Sequence, residues 1–240
     1  MLRAEDFFDL SDFEHRAVFE HCEYVWQPLS GIGRYVLEHI AGKDGDCING
    51  CVLAGAYIDD RHAVVIGEDT VVEPGAFIQG PAIIGRNCQI RHGAYVRGAV
   101  LVGDNCIVGH SSELKNAIML NGSGAPHFAY VGDSILGNRV NLGAGTKLSN
   151  VPVTSVKDAD TGKRPTISIQ INGETYDTGL AKFGCILGDD VQIGCNAVTN
   201  PGCLIGQRTL VYPNVSLRKG YYGPDGIIKL KQEVSWRERR

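Results

Sequence analysis

The sequence predicts an all-β protein, a parallel β-helix in which short strands wind around a narrow apolar interior. Three observations carry this. Every sixth residue from 66 to 120 is aliphatic: Ile66, Val72, Ile78, Ile84, Ile90, Val96, Val102, Val108, Leu114 and Leu120. That period is neither the 3.6 of a helix nor the two of a simple strand, so it marks a repeat. Four residues after each anchor stands a small or β-branched side chain: Thr70, Ala76, Ala82, Cys88, Ala94, Val100, Cys106, Ser112 and Ile118. Glycine, 31 of 240 residues, recurs just after anchors, at Gly67, Gly85, Gly103 and Gly109, too often for a helical protein. A six-residue unit is a short strand plus a corner. Three units close a triangular coil, and coils stacked about 4.8 Å apart pair each backbone with the next. The anchors fill the interior, and the glycines are expected to supply corner angles that other residues tolerate poorly.

The elements follow in order. Ser11 and Glu14 form a capping-box pattern that predicts a helix through about Tyr24. A second helix is expected after Pro28, ending near Gly42. Residues 1–47 are thus expected to be a helical cap plugging one end of the solenoid, whose terminal coil otherwise exposes apolar interior. The solenoid is assigned to residues 48–218, its first coil imperfect but keeping the rhythm at Val52, Ile58 and Val64. Ten residues separate Leu120 from Tyr130 where six are expected, so the stretch NGSGAPH is expected to bulge outward. The rhythm returns at Leu136, Leu142 and Leu148, then at Leu187, Ile193, Thr199, Ile205, Val211 and Leu217. Between these runs lies an insertion, 151–180, containing ISIQINGETYDTG. Asn172-Gly173 is a type I′ turn signal, and Ile167, Ile169 and Ile171 give one apolar face, which predicts an ordered extruded hairpin. Residues 219–240, with a Gly-Pro-Asp-Gly turn at 223–226, are expected to form a hairpin or tail.

Composition narrows the function. A net charge of −4 gives no reason to expect nucleic acid or an acidic membrane surface as partner. The acidic start MLRAEDFFDL has no long apolar core, so neither a signal peptide nor a membrane span is expected, and the cytoplasm is the expected compartment. No pair of the eight cysteines has CxxC spacing. Cys88, Cys106 and Cys203 occupy small interior positions, so they read as core thiols rather than metal ligands.

One column of positions concentrates charge. Gln79, Arg97 and Lys115 each follow an anchor on the same face, one coil apart, so their backbones stack at about 5 Å. Like charges in lateral register repel. A bound phosphate converts that repulsion into a charge-assisted site; the alternative is two solvated cations splaying apart. His127, at the end of the expected bulge, is able to accept a proton near neutral pH and is a candidate general base, against a plain surface histidine. His92 and His110, also one coil apart, read as structural, since two histidines do not make a zinc site.

The run ELKNAIMLNGSGAPHFAYVGDSILGNRVNLGAGTKLSN, with its H-x-x-Y-x-G-D-x-x-[IL]-G core followed by N-x-G-A-G, carries a family resemblance. It resembles the hexapeptide-repeat acetyltransferase half of the bifunctional glucosamine-1-phosphate acetyltransferase/N-acetylglucosamine-1-phosphate uridyltransferases. It is similar also to archaeal-type sugar-phosphate nucleotidyltransferases with a hexapeptide C-terminal domain. The resemblance covers roughly residues 48–218 and implies a left-handed β-helix, a homotrimer, and acetyl-CoA as cosubstrate with no metal. It implies His127 as catalytic base, Arg97 and Lys115 as sugar-phosphate cations, and Tyr130, Asn141 and Asn150 as substrate contacts. Lys182 falls on the family's outer substrate lysine, a role for which Lys157 competes, and Cys195, Pro213 and Lys219 fall on the coenzyme channel. The implied activity is N-acetylation of an amino-sugar 1-phosphate, on the route to a nucleotide sugar such as UDP-N-acetylglucosamine.

Departures from the family qualify this. Residues 1–47 supply no glycine-rich nucleotide loop, so uridylyl transfer is not expected of this chain, and a separate nucleotidyltransferase is a candidate partner. Cys195 stands where bifunctional members often have serine, and the hairpin is absent from them. Two other functions compete: a non-catalytic trimeric or regulatory module of a sugar nucleotidyltransferase, and a γ-class carbonic anhydrase. The latter needs a third histidine five residues after the second; from His127 that position is Gly132.

Overall fold

The computed structural model describes residues 2–41, 47–59, 61–231 and 235–238. Within them the chain winds as a parallel solenoid with three faces. The first face is a nine-stranded sheet running from Cys51–Val52 to Ile227–Ile228. The second runs from Tyr57–Asp59 to Ser216–Leu217, and the third from Val64–Ile66 to Gly220–Tyr222. Among the described strand pairs every one between coils is parallel; the hairpin Ser168–Ile171 with Glu174–Asp177 is antiparallel. On the first two faces one residue per strand points inward, as Ile90 and Ile78 do. On the third face the two flanks of each triplet do, as Ala82 and Ile84. The small residue four positions after an anchor is therefore inward as well, and Thr70, Ala76, Cys88, Cys106 and Ser112 are all buried.

Two coils are one residue shorter than the sequence rhythm implies. The corner between the second and third faces reads Arg97-Gly98-Ala99-Val100 in one coil, but Lys115-Asn116-Ala117 and Gly132-Asp133-Ser134 in the next two. Strands Glu113–Met119 and Tyr130–Leu136 consequently run unbroken around the corner. The inward residues become Ala117 and Met119, not Ile118 and Leu120, which turn to the outside of the third face. Counted from Met119, Ala125 and Val131 follow at six-residue steps, so no excess remains to bulge. Gly124–His127 is a regular strand on the first face, paired with Ile107–His110 and with Asn141. The glycines after the anchors also differ from expectation. Gly67 and Gly85 do not need left-handed angles; a Cβ on Gly67 meets the Gly85 backbone at 2.6 Å. Asp69, Asn87 and Asn105 take the left-handed corner positions instead, at φ 57°, 53° and 59°.

Residues 2–41 do not plug an end. They lie along the outside of the third face, whose outward column Ile83, Leu101, Ile118, Ile135, Ile186 and Leu204 is buried beneath them and beneath the hairpin. Phe7, Phe13, Val25, Trp26, Ile32 and Val36 come from the N-terminal side, and Ile167, Ile169 and Ile171 from the hairpin. Burying six aliphatic side chains contributes on the order of 10 kcal/mol before ordering costs. That is sufficient to hold a segment with little regular structure: turns Ala4–Asp6, Arg16–Phe19 and Gln27–Ser30, and one α-helix, Ile32–Ile40. The helix expected from Ser11 does not form, because the Ser11 hydroxyl and N–H both turn back to Asp9. The expected end at Gly42 lies outside the described residues. Asp189 anchors the segment further, accepting from the N–H of Asp9 and of Asn138 while its own N–H donates to the Phe7 carbonyl.

The insertion leaves the coil between Leu148 and Cys185 and folds back on the third face, with Asn172 and Gly173 both left-handed as a type I′ turn requires. Residues 219–228 are not a hairpin. Gly220–Tyr222 pairs in parallel with Cys203–Ile205, and Ile227–Ile228 with Leu210–Val211, continuing the solenoid by a partial coil. No described helix is long and apolar enough to cross a membrane.

Candidate active site

The two shortened corners gather the polar residues of the second face. Asp133 sits at the corner in a left-handed conformation, φ 47°, and is only 4% exposed. Its carboxylate accepts from Lys115 Nζ at 3.1 Å, from Asn116 Nδ2 at 2.9 Å, and from Asn150 Nδ2. Asn116 also donates to the Leu29 carbonyl, tying the corner to the N-terminal segment. Tyr130 lies over Gly132, where an added Cβ meets its hydroxyl at 2.5 Å and Asn150 Nδ2 at 2.8 Å. Burial first, then the Glu113 and Asp133 carboxylates, raise the Tyr130 phenol above its ordinary range, so it stays a proton donor at neutral pH.

The stacked cations do not share an empty space. Arg97 Nη1 pairs with Glu113 at 2.8 Å, and Lys115 pairs with Asp133. Each positive charge thus has its own carboxylate, which removes the repulsion that suggested a preformed anion site. The two pairs differ in setting. The Arg97 and Glu113 side chains are 47% and 31% exposed, whereas Asp133 is almost sealed. Asp133, Glu113 and Asn116 were not among the sequence candidates. The 18-residue rhythm does not bring Lys115 and Asp133 together: in the shortened coil Lys115 is in register with Gly132, and Asn116 faces Asp133, which Lys115 reaches from one residue away.

His127 ends its strand at the edge of the first face, in register with His110. In the two coils before it the histidine ring is committed to backbone: His92 Nδ1 to the Pro74 carbonyl at 2.7 Å, His110 Nδ1 to the His92 carbonyl at 3.3 Å. The His127 ring is exposed and makes no such bond with the described residues. It stands three residues before Tyr130, at the corner between the first and second faces, whereas Asp133 stands at the next corner, between the second and third.

The remaining candidates divide. Asn150 is held by Phe183, whose N–H donates to its carbonyl, so exposed Lys182 borders the cluster. Asn141 does not. It lies on the first face beside Gly124, at the opposite end of the His127 strand, about 10 Å along it. Cys195 and Pro213 continue the His127 column: Gly145 N–H donates to His127, Asn196 N–H to Ala144 and Asn214 N–H to Cys195, coil after coil. Lys219 is not with them in one chain. It bonds the Ser168 carbonyl at 3.1 Å and lines a cavity of about 420 Å³ between the insertion and the coil, with Asn200 and Pro201. Lys157 lies in the insertion, exposed. All eight cysteines are free thiols, and burial pushes Cys203 up to about 12 and Cys185 well above the usual range, which keeps these core thiols protonated.

Part of the chain matches known proteins. A bifunctional sugar-1-phosphate nucleotidylyltransferase/acetyltransferase from Sulfurisphaera tokodaii is 30% identical over 101 residues, 42% of this chain and 23% of that protein. A bifunctional protein GlmU from Methanococcus maripaludis is 34% identical over 89 residues, 37% of this chain and 19% of that protein. The chain therefore spans under a quarter of the length of these relatives. The structure of a UDP-N-acetylglucosamine acyltransferase from Francisella novicida overlays with a TM-score of 0.43 at 13% identity, covering 72% of this chain and 59% of that one. The family described as the GMPPB C-terminal domain matches residues 78–200, which hold both shortened corners, His127, Tyr130 and the insertion. More than half of the chain lies in that match, and the chain belongs to the GMPPB C-terminal domain family.

Proposed function

We propose that this chain is an acyl-CoA-dependent N-acetyltransferase acting on an amino-sugar 1-phosphate, in the formation of a nucleotide sugar of the UDP-N-acetylglucosamine type. The observation that carries this reading is the exposed ring of His127, which makes no hydrogen bond to the described residues and stands three residues before Tyr130 along the chain, where its column neighbours His92 and His110 are tied to backbone. An amine attacking a thioester carbonyl must lose a proton. His127 takes it, and no covalent enzyme intermediate is needed. The substrate phosphate exchanges with Glu113 for the Arg97 guanidinium, an exposed ion pair and so the easier of the two to open. Lys115 stays on Asp133 and, with Asn116 and Asn150, fixes the corner, leaving the Tyr130 phenol to donate to the sugar. Acetyl-CoA approaches along the His127–Cys195–Pro213 column.

The chain is a homotrimer in this reading, with the coenzyme site completed by a neighbour. The exposed apolar side chains Tyr57, Phe128, Tyr212 and Ile227 favour burial against other copies. Sedimentation as a monomer at micromolar concentration would overturn both the trimer and the shared site. The activity itself is tested by thiol release from acetyl-CoA with glucosamine-1-phosphate and galactosamine-1-phosphate; no release with either sinks it.

The pairing of Arg97 and Lys115 with their own carboxylates favours a second reading, a non-catalytic module partnering a sugar nucleotidyltransferase. Failure to bind coenzyme A would select it.

A further inference from the structure

The N-terminal segment and the end of the α-helix meet over the edge of the third face, next to Gly67 and Gly85. Glu14 and His15 precede the turn Arg16–Phe19, and His39 lies in the last turn of the helix. One donor atom from each of the three residues lies within 4.8 Å of the others. His15 is 5% exposed, His39 half-buried and Glu14 exposed. The two imidazole rings meet edge-on with centroids 4.8 Å apart, and Tyr35 Oη lies 3.2 Å from His15 Nδ1. We propose that Glu14, His15 and His39 form a binding site for a divalent transition-metal ion of zinc type, which clips the N-terminal segment to the helix.

Donor chemistry selects the ion. Two imidazoles and one carboxylate suit zinc or its neighbours, while calcium and magnesium call for oxygen ligands throughout. A tetrahedral zinc centre places its donors roughly 3.3 Å apart, so the most separated of the three groups must close by up to about 1.5 Å. Glu14 is able to move that far. Its contact with Arg86 is long, 3.9 Å, and Arg86 has a nearer partner in Asp104 at 3.2 Å. Tyr35 supplies what a metal-bound histidine normally has, a partner on the other ring nitrogen that fixes its orientation. The fourth position faces a cavity of about 280 Å³ whose wall carries a second carboxylate, Glu68. The competing arrangement is a proton shared among the same groups.

The site stands apart from the Asp133 cluster and does not depend on the acetyltransferase reading. The test uses the full chain stripped with chelator and titrated with Co²⁺, then Zn²⁺. One equivalent per chain is expected, with the visible absorption of four-coordinate cobalt, displacement by zinc, and a melting temperature that rises with zinc and falls back with EDTA. Glu14→Gln and His39→Gln, both off the sealed side of the cluster, should each weaken binding by at least about 10-fold. His92→Gln should leave it unchanged. A stripped wild-type chain that takes up no stoichiometric metal leaves the proton-shared cluster and overturns the proposal. Equal binding in both ligand variants places the ion elsewhere and overturns it too.

Discussion

The second and third faces are built on the same repeat, yet their outer surfaces have opposite chemistry. Outside the third face stands an unbroken aliphatic column, Ile83, Leu101, Ile118, Ile135, Ile186 and Leu204, sealed by the N-terminal segment and the hairpin. Outside the second face Arg97 pairs with Glu113, and Lys115 pairs with Asp133, which also accepts from Asn150. Both faces turn small or apolar residues inward, one per strand on the second and two on the third, so the difference in surface chemistry lies in what is turned outward. The outward residues set the faces apart: one is covered by packing and the other carries paired charges.

Substitutions should separate the two faces. His127→Ala is expected to lower kcat by about 10²–10⁴ while leaving the melting temperature and the KM for the amino-sugar phosphate nearly unchanged. Full activity in this variant would remove His127 from the mechanism. Leu101→Ala, on the sealed face, is expected to cost about 2–5 kcal/mol in urea unfolding with kcat per folded chain unaltered. A loss under 1 kcal/mol there would mean that the covering segment is not packed as described. Arg97→Ala should raise the KM for the sugar phosphate about 10- to 100-fold with little change in kcat; an unchanged KM would shift phosphate binding to another cation. Gln79→Ala, in the same column but one coil beyond the cluster, should alter stability by no more than about 0.5 kcal/mol. A larger effect would extend the working surface further down the face.

Much of the fold was legible because a six-residue anchor survives noise. Nine of the ten anchors, Ile66 through Leu114, point inward as read. The tenth, Leu120, does not, because a missing corner residue hands its place to Met119 while leaving an aliphatic side chain where the rhythm expected one. The supposed bulge before Tyr130 followed from that single slip. The N-terminal segment was misplaced for a related reason. The triplets AII, VLV, AIM, SIL and CIL carry an apolar centre as well as small or apolar flanks, and that centre, repeating coil by coil, announces a covered face rather than a covered end. Of the polar cluster at the corner, Lys115 and Asn150 stand out in the sequence, but Asp133, which accepts from both and from Asn116, is visible there only as part of a motif. The Glu14–His15–His39 group was invisible, since no metal-site spacing links residues so far apart along a chain.

The shortened corners carry a wider consequence. In the coil just before them the corner is Gly98-Ala99, two left-handed residues at φ 65° and 50°; in the shorter ones a single left-handed residue, Asn116 or Asp133, turns the chain alone. Removing one residue thus exchanges a small corner for an amide or a carboxylate, and the anchors on either side regain their register within one strand. A stacked repeat whose coils touch only their neighbours absorbs such an edit locally. New chemistry can then arise in one storey of the building while the storeys above and below keep their plan.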